Sequence, residues 1–190
     1  MFDIPCVIFA GGRSSRMGED KALLPFDTEL TLTQYQLKKL TKLFKNVYIS
    51  CKYSNKFSFD ANFIEDIPTD NIFAPTTGFI SIFNELEAER IFILSVDSPF
   101  VSQKEIQKLI DADSSSNEAT IASTPRGIQP MCGIYHRCLE IKFKKMLKDD
   151  NHKLGYLLKN SNTNYVQFEN EEAFLNLNNP QEYKQALTLI

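Results

Sequence analysis

Residues 5–26 read Pro5-Cys-Val-Ile-Phe-Ala-Gly-Gly-Arg-Ser-Ser-Arg-Met-Gly-Glu-Asp-Lys-Ala-Leu-Leu-Pro-Phe26. The apolar run over residues 6–10 has the length and β-branched content of a buried parallel strand. Within one residue the composition changes: Gly11, Gly12 and Gly18 punctuate a loop that holds Arg13, Arg16 and Lys21. Glycines let backbone amides approach a ligand closely, and cations beside exposed N–H groups make an anion site. A phosphate-rich ligand such as a nucleoside triphosphate is the expected occupant.

Two common phosphate loops do not fit this stretch. The chain supplies no Gly-Lys-Ser/Thr, and its glycines are adjacent where the dinucleotide fingerprint requires Gly-x-Gly-x-x-Gly. The segment Ala10-Gly11-Gly12-x-x-x-Arg16-Met17-Gly18-x-Asp20-Lys21-Ala22-Leu23-Leu24 instead resembles the signature loop of sugar-phosphate-type nucleotidyltransferases. Among these it is most similar to the molybdenum cofactor guanylyltransferases, in which the Arg-Met-Gly-x-Asp-Lys spacing recurs.

With 190 residues, the chain has the length of one well-buried domain. A net charge of −3 argues against nucleic acid or an acidic membrane as the main partner, so the basic loop is a local feature suited to a small anion. No apolar stretch approaches the roughly 20 residues needed to cross a bilayer. Asp3 and Pro5 stand where a signal peptide would be apolar. Four cysteines lack a Cys-x-x-Cys pattern, and Cys132-x-x-x-His136-x-Cys138 matches no zinc spacing. Reduced thiols and a cytoplasmic location are expected.

Along the chain, a short extended segment is expected over 22–26 and a turn over 27–29. A helix is expected from about 32 to 46, strands over 47–51 and 63–66, and a loop over 66–77. A helix follows from 78, and the clearest buried strand covers 91–96. Ser102-x-x-Glu105 is a capping box for a helix over 103–112. Further strands are expected over 119–123, 129–135 and 165–168, and helices over 139–148 and 154–159. Asn179-Pro180 starts a last helix. This alternation predicts a single-domain α/β fold, a Rossmann-like three-layer sandwich with a mostly parallel twisted sheet and helices on both faces. A ligand is then expected beyond the carboxyl ends of the strands. The Gly-rich loop, Asp66 and Asp97 all fall at such ends.

Asp97 follows the apolar run and precedes Ser98-Pro99. It reads either as a turn aspartate or as a Mg²⁺ ligand, because Mg²⁺ takes one or two carboxylates together with phosphates. Val96-Asp97-Ser98-Pro99-Phe100 resembles the family's Asp-x-Pro-Phe/Tyr motif, which implies the metal and nucleotide role. Arg16 and Lys21 would neutralise the triphosphate. No protein nucleophile is evident, as suits a reaction that needs mainly alignment and charge stabilisation.

The resemblance implies further contacts. Phe9, Ala10, Gly11 and Gly12 align with the family's nucleotide-binding segment, Ser50 stands where its members often have Asn, and Asp66 matches its Glu-Asp. Asn176-x-Asn178-Asn179-Pro180 resembles Asn-x-Asn-Thr-Pro, which places Asn176 and Asn178 at the acceptor and leaves Asn179 as a helix cap. Gln129-Pro130 resembles a His/Gln-Pro pair near the acceptor pocket. Residues 1–100 would form the nucleotide part of one domain and 101–190 the acceptor part.

The implied reaction moves GMP from GTP to the phosphate of molybdopterin (molybdenum cofactor) and releases pyrophosphate. An upstream molybdenum-insertion enzyme and acceptor molybdoenzymes are the implied partners. Two departures bear on the base: Ala74-Pro75-Thr76-Thr77-Gly78 replaces Gly-Pro-Leu-x-Gly, and Asp27-Thr28-Glu29 replaces Gly-Lys-Pro. They leave CTP, or a sugar or polyol phosphate acceptor, as alternatives within the same chemistry. A non-catalytic nucleotide-binding module is the alternative outside it.

Overall fold

Strand β1, Cys6–Phe9, is buried along its whole length inside the sheet, between two neighbouring strands. The computed structural model describes residues 1–12, 17–68 and 75–190. In chain order β1 is followed by α1 (Leu32–Leu40), β2 (Val47–Cys51), β3 (Asn62–Glu65), α2 (Pro75–Glu85) and β4 (Arg90–Ser95). Then come α3 (Gln103–Ala112), β5 (Ala119–Thr124), β6 (Gly127–His136), α4 (Glu140–Lys148), α5 (Leu154–Lys159), β7 (Thr163–Gln167) and α6 (Pro180–Leu187).

The strands form one sheet of seven in the order β3-β2-β1-β4-β6-β5-β7. Only β6 runs antiparallel to its neighbours β4 and β5; the other pairs are parallel. The chain builds outward from β1 to β3 on one side, then crosses back to place β4 on the other. Strand order therefore reverses between β1 and β4, where loops diverge and open a crevice.

Side chains alternate across the sheet. Cys6 and Ile8 of β1 join Leu32 and Leu40 of α1, Ile106 and Leu109 of α3 and Ala186 of α6 in one core. Val7 and Phe9 join Phe79 and Ile82 of α2, Phe143 of α4 and Leu157 of α5 in the other. This period-two division of a continuous apolar strand gives the three-layer arrangement expected from sequence. Among the described residues no helix is long and apolar enough to cross a membrane.

Local signals place several ends. Thr31 caps α1 by accepting from the Gln34 N–H, and Ser102 with Glu105 forms the complete capping box of α3. Asn179 caps α6, with Pro180 as its first residue.

Three expectations are corrected. Helix α1 stops at Leu40 because the chain then turns so that Phe44 pairs with Phe2 and packs on Phe92. Helix α2 begins at Pro75, three residues before the expected start at 78, since proline fits a first helical turn. Residues Lys21–Leu23 form a 3-10 turn within the segment expected to be extended.

Phe79 is fully buried, 4.3 Å from the Phe143 ring and 4.5 Å from Tyr135. Phe79→Ala is expected to lower stability by about 3–5 kcal/mol through lost burial and the cavity left behind, as measured by urea unfolding.

Candidate active site

The carboxyl ends of β1, β2, β3 and β4 converge on one cleft of about 160 Å³, lined by Phe9, Gly11, Gly12, Ser50 and Asp66. Lys52, Gly78 and Ser95 complete much of its wall. Gly12 adopts a φ of +136°, a conformation that side-chain-bearing residues rarely reach. Ala10 contributes backbone only: its side chain is in the core and its N–H bonds to the Ser50 carbonyl at 2.8 Å.

Gly78, on the first turn of α2, allows the closest approach. A Cβ there would lie 2.7 Å from the Phe9 ring, 3.0 Å from the Ser50 hydroxyl and 3.3 Å from an Asp66 oxygen. Burial raises the Asp66 pKa, an effect opposed by a Ser50 hydrogen bond and by Lys52 and Lys56. The cleft therefore presents a partly desolvated carboxylate that favours N–H donors.

Beside this cleft Lys21 pairs with Asp97, across 76 residues of sequence. Asp97 is only 8 % exposed, and its second carboxylate oxygen accepts from the Ser95 hydroxyl. Lys21 opens the 3-10 turn, which Asp20 caps by accepting from the Ala22 N–H at 3.0 Å. Lys56 in turn donates to Asp20 at 2.7 Å and to the Ala10 carbonyl at 3.0 Å. One ammonium thus ties the beginning of the Gly-rich loop to its end. Arg16 lies outside the described residues.

The turn carrying Asp97 is held from beneath by α1. The buried Gln36 amide donates to the carbonyls of Ser98 (3.0 Å), Val96 (3.3 Å) and Ser95 (3.4 Å). Lys39, one turn later, donates to Pro99 (2.7 Å) and Val101 (3.0 Å). Burial pushes the Lys39 amine down to about 8.

A second cleft of about 180 Å³ is tied to the Asp97-Ser98 turn through Asn176 and Leu177 of its lining. It gathers Gln129, Asn176 and Asn178 with Phe100, Arg126 and Glu182. Arg126 pairs with Glu171 at 2.7 Å, and Glu182 accepts from the Asn178 N–H at 2.7 Å. Ser50 and Asp66, expected at the nucleotide, and Gln129, Asn176 and Asn178, expected at the acceptor, therefore line two separate clefts. His136 of the rejected metal spacing bonds to buried Asp113 at 3.0 Å.

The MobA-like NTP transferase domain pattern matches residues 6–164. The chain belongs to this family. A Campylobacter jejuni subsp. doylei relative named molybdenum cofactor guanylyltransferase is 41 % identical over 182 residues, covering 96 % of this chain and 94 % of the relative. A Helicobacter pylori relative of the same name is 33 % identical over 193 residues, covering 99 % and 94 %. The solved molybdopterin-guanine dinucleotide biosynthesis protein A of Archaeoglobus fulgidus superposes with a TM-score of 0.83 at 16 % identity, covering 98 % of each chain. That likeness speaks to the fold alone. It places the transferase sheet and helices in a known arrangement.

Several residues that shape this candidate site were not anticipated. Lys56 lies in a stretch that reads as a plain connection, and nothing local signals its reach to Ala10 and Asp20. Ser95 carried a signal: it is a polar residue ending an apolar strand, two positions from Asp97 and so on the same side. Gly78 stood in the quoted Pro75-Thr76-Thr77-Gly78 segment, but its role depends on three side chains from other strands.

Two predictions follow from this geometry. Gly78→Ala should weaken binding of a nucleoside triphosphate about tenfold or more by calorimetry, with the fold retained, because overpacking falls on the cleft wall. For Lys39 the unfolded chain binds more protons than the folded one between about pH 8 and the ordinary lysine value near 10.4. Stability from this group should rise with pH across that window, by up to ~1.4 kcal/mol per unit. Lys39→Met should remove that component in urea unfolding.

Proposed function

We propose that this protein transfers GMP from GTP to the phosphate of molybdopterin, forming the guanine dinucleotide cofactor and pyrophosphate. The observation that carries the reading is the Lys21–Asp97 pair, whose carboxylate is bonded to Ser95 of the cleft containing Ser50 and Asp66, while the next residue, Ser98, is bonded to Asn176 of the cleft containing Gln129 and Asn178. The names borne by the Campylobacter and Helicobacter relatives support the same donor and acceptor.

In this reading the nucleotide occupies the first cleft. Lys21 and Arg16 neutralise its triphosphate, and Asp66 accepts from N–H donors of the guanine edge. Residues up to about 100 serve the nucleotide and those beyond it the acceptor. An oxygen of the acceptor phosphate attacks the α-phosphorus, a new P–O bond forms, and the bond to the departing pyrophosphate breaks. Lys21 offsets the charge that gathers on the phosphate oxygens, and the two clefts hold the reacting groups in line. Asp97 would hold the Mg²⁺ of the nucleotide once Lys21 turns from its carboxylate to the phosphates, and a single carboxylate fits an ion that takes the rest of its shell from phosphates and water. When bound, that ion supplies further neutralisation of the triphosphate. The four unpaired cysteines suit a reducing cytoplasm, where a molybdenum-insertion enzyme would deliver the acceptor and molybdoenzymes would receive the product.

Pyrophosphate release should be measured with molybdopterin, Mg²⁺ and each of GTP, CTP, ATP and UTP. Release with GTP alone is expected; release with CTP alone would move the base specificity. Asp97→Asn and Asp97→Ala are each expected to reduce turnover by about 10²–10³-fold or more in a chain that is less stable but still folded, as checked by urea unfolding. Full activity in Asp97→Asn would overturn the metal role.

A further inference from the structure

We infer that Ser98 is a positioning residue that fixes the polarity of Asn176, so that the second cleft presents an N–H₂ donor to the incoming phosphate. The inference rests on the proposed acceptor role of that cleft.

Ser98 is 6 % exposed, and each of its polar groups is engaged. Its N–H donates to Ser95 at 3.2 Å and its carbonyl accepts from Gln36 at 3.0 Å. Its hydroxyl lies 2.6 Å from Oδ1 of Asn176, 78 residues away. That separation matches O–H···O bonding better than the longer N–H···O contact that a reversed amide would make. With Oδ1 committed to Ser98, Nδ2 is the atom left to the cleft that Asn176 lines. A second tie adjoins the first: the Leu177 N–H donates to the Asp97 carbonyl at 2.9 Å. The Asn176 amide is therefore anchored to the same turn that carries the central carboxylate, and that turn is held by Gln36.

The ligand class follows from polarity and place. An amide N–H₂ seeks an oxygen acceptor, and a phosphate oxygen is one. Because Asn176 is bonded to the residue next to Asp97, its donor stands near the reacting centre, where the attacking phosphate belongs. The remainder of the acceptor then extends toward Gln129 and Glu182. Ser98 touches neither substrate in this scheme and acts through Asn176.

Steady-state kinetics with molybdopterin and GTP varied in turn test this assignment. Ser98→Ala is expected to raise KM for molybdopterin about tenfold, the effect of one misdirected hydrogen bond, with KM for GTP changed less than about twofold. Ser98→Thr, which keeps the hydroxyl, should restore the wild-type value. Asn176→Asp should raise the acceptor KM as well, and adding Ser98→Ala to it should cost nothing more, because the two act as one unit.

Equal rises in both KM values, no rise in either, or additive effects in the double variant would overturn the inference. NMR of the Asn176 side-chain amide, titrated with inorganic phosphate, separates this question from the reaction itself. A phosphate-dependent shift that is lost in Ser98→Ala and kept in Ser98→Thr supports the positioning role even if no nucleotide gives turnover. In that case the guanylyl-transfer reading falls and the Ser98 assignment stands. The same shift in wild type and Ser98→Ala, or no shift in either, overturns it.

Discussion

A carboxylate that is nearly buried at the end of a β-strand needs a partner, because desolvation of an unpaired charge costs several kcal/mol. Asp97 meets that requirement with Lys21, and the pairing constrains much of the surrounding chain. Lys21 can reach Asp97 only if the Gly-rich loop returns to the sheet. The 3-10 turn capped by Asp20 supplies that return, and Lys56 ties the turn back to Ala10. The arrangement is a chain of alternating charges, Lys56–Asp20 and Lys21–Asp97, that fastens the loop to the sheet.

The opposite side of Asp97 is governed by hydrogen bonds to neutral groups. Gln36 and Lys39, three residues apart on α1, face the carbonyls of the 95–101 turn. Holding these carbonyls inward fixes the backbone from which Asp97 projects. The same turn grips the 176–178 segment through the Asp97 carbonyl and the Ser98 hydroxyl. The two clefts thus share one rigid support, and Met131 of β6 also reaches the first. A transfer between two ligands needs such registry, since small misplacements of reacting atoms are costly in rate.

Much of the sheet was legible because buried strands and capped helices carry local signals. The strand at 47–51, the capping box of α3, the helix at 154–159 and the Asn179 cap agree with the structure at the residue level. The failures have a common cause. Helix α1 ends where Phe44 finds Phe2 and Phe92, and α2 begins under strands whose side chains require Gly78 at its surface. The partners of Phe44 and Gly78 are remote in sequence, so for α2 the only local mark of the boundary is Pro75 itself.

By itself the sequence determined which chemistry-bearing residues would stand at strand ends: the Gly-rich loop, Asp66 and Asp97 each follow an apolar run, and period-two burial gives such runs only one orientation in a covered sheet. It also determined the family, through the spacing of one loop. The tertiary structure decided how those ends are joined. The roles of Lys56, Gln36, Gly78 and Ser98 arise from contacts between segments up to 78 residues apart. Such contacts depend on where the sheet places each strand end in space, and a pattern of neighbouring residues cannot encode that distance.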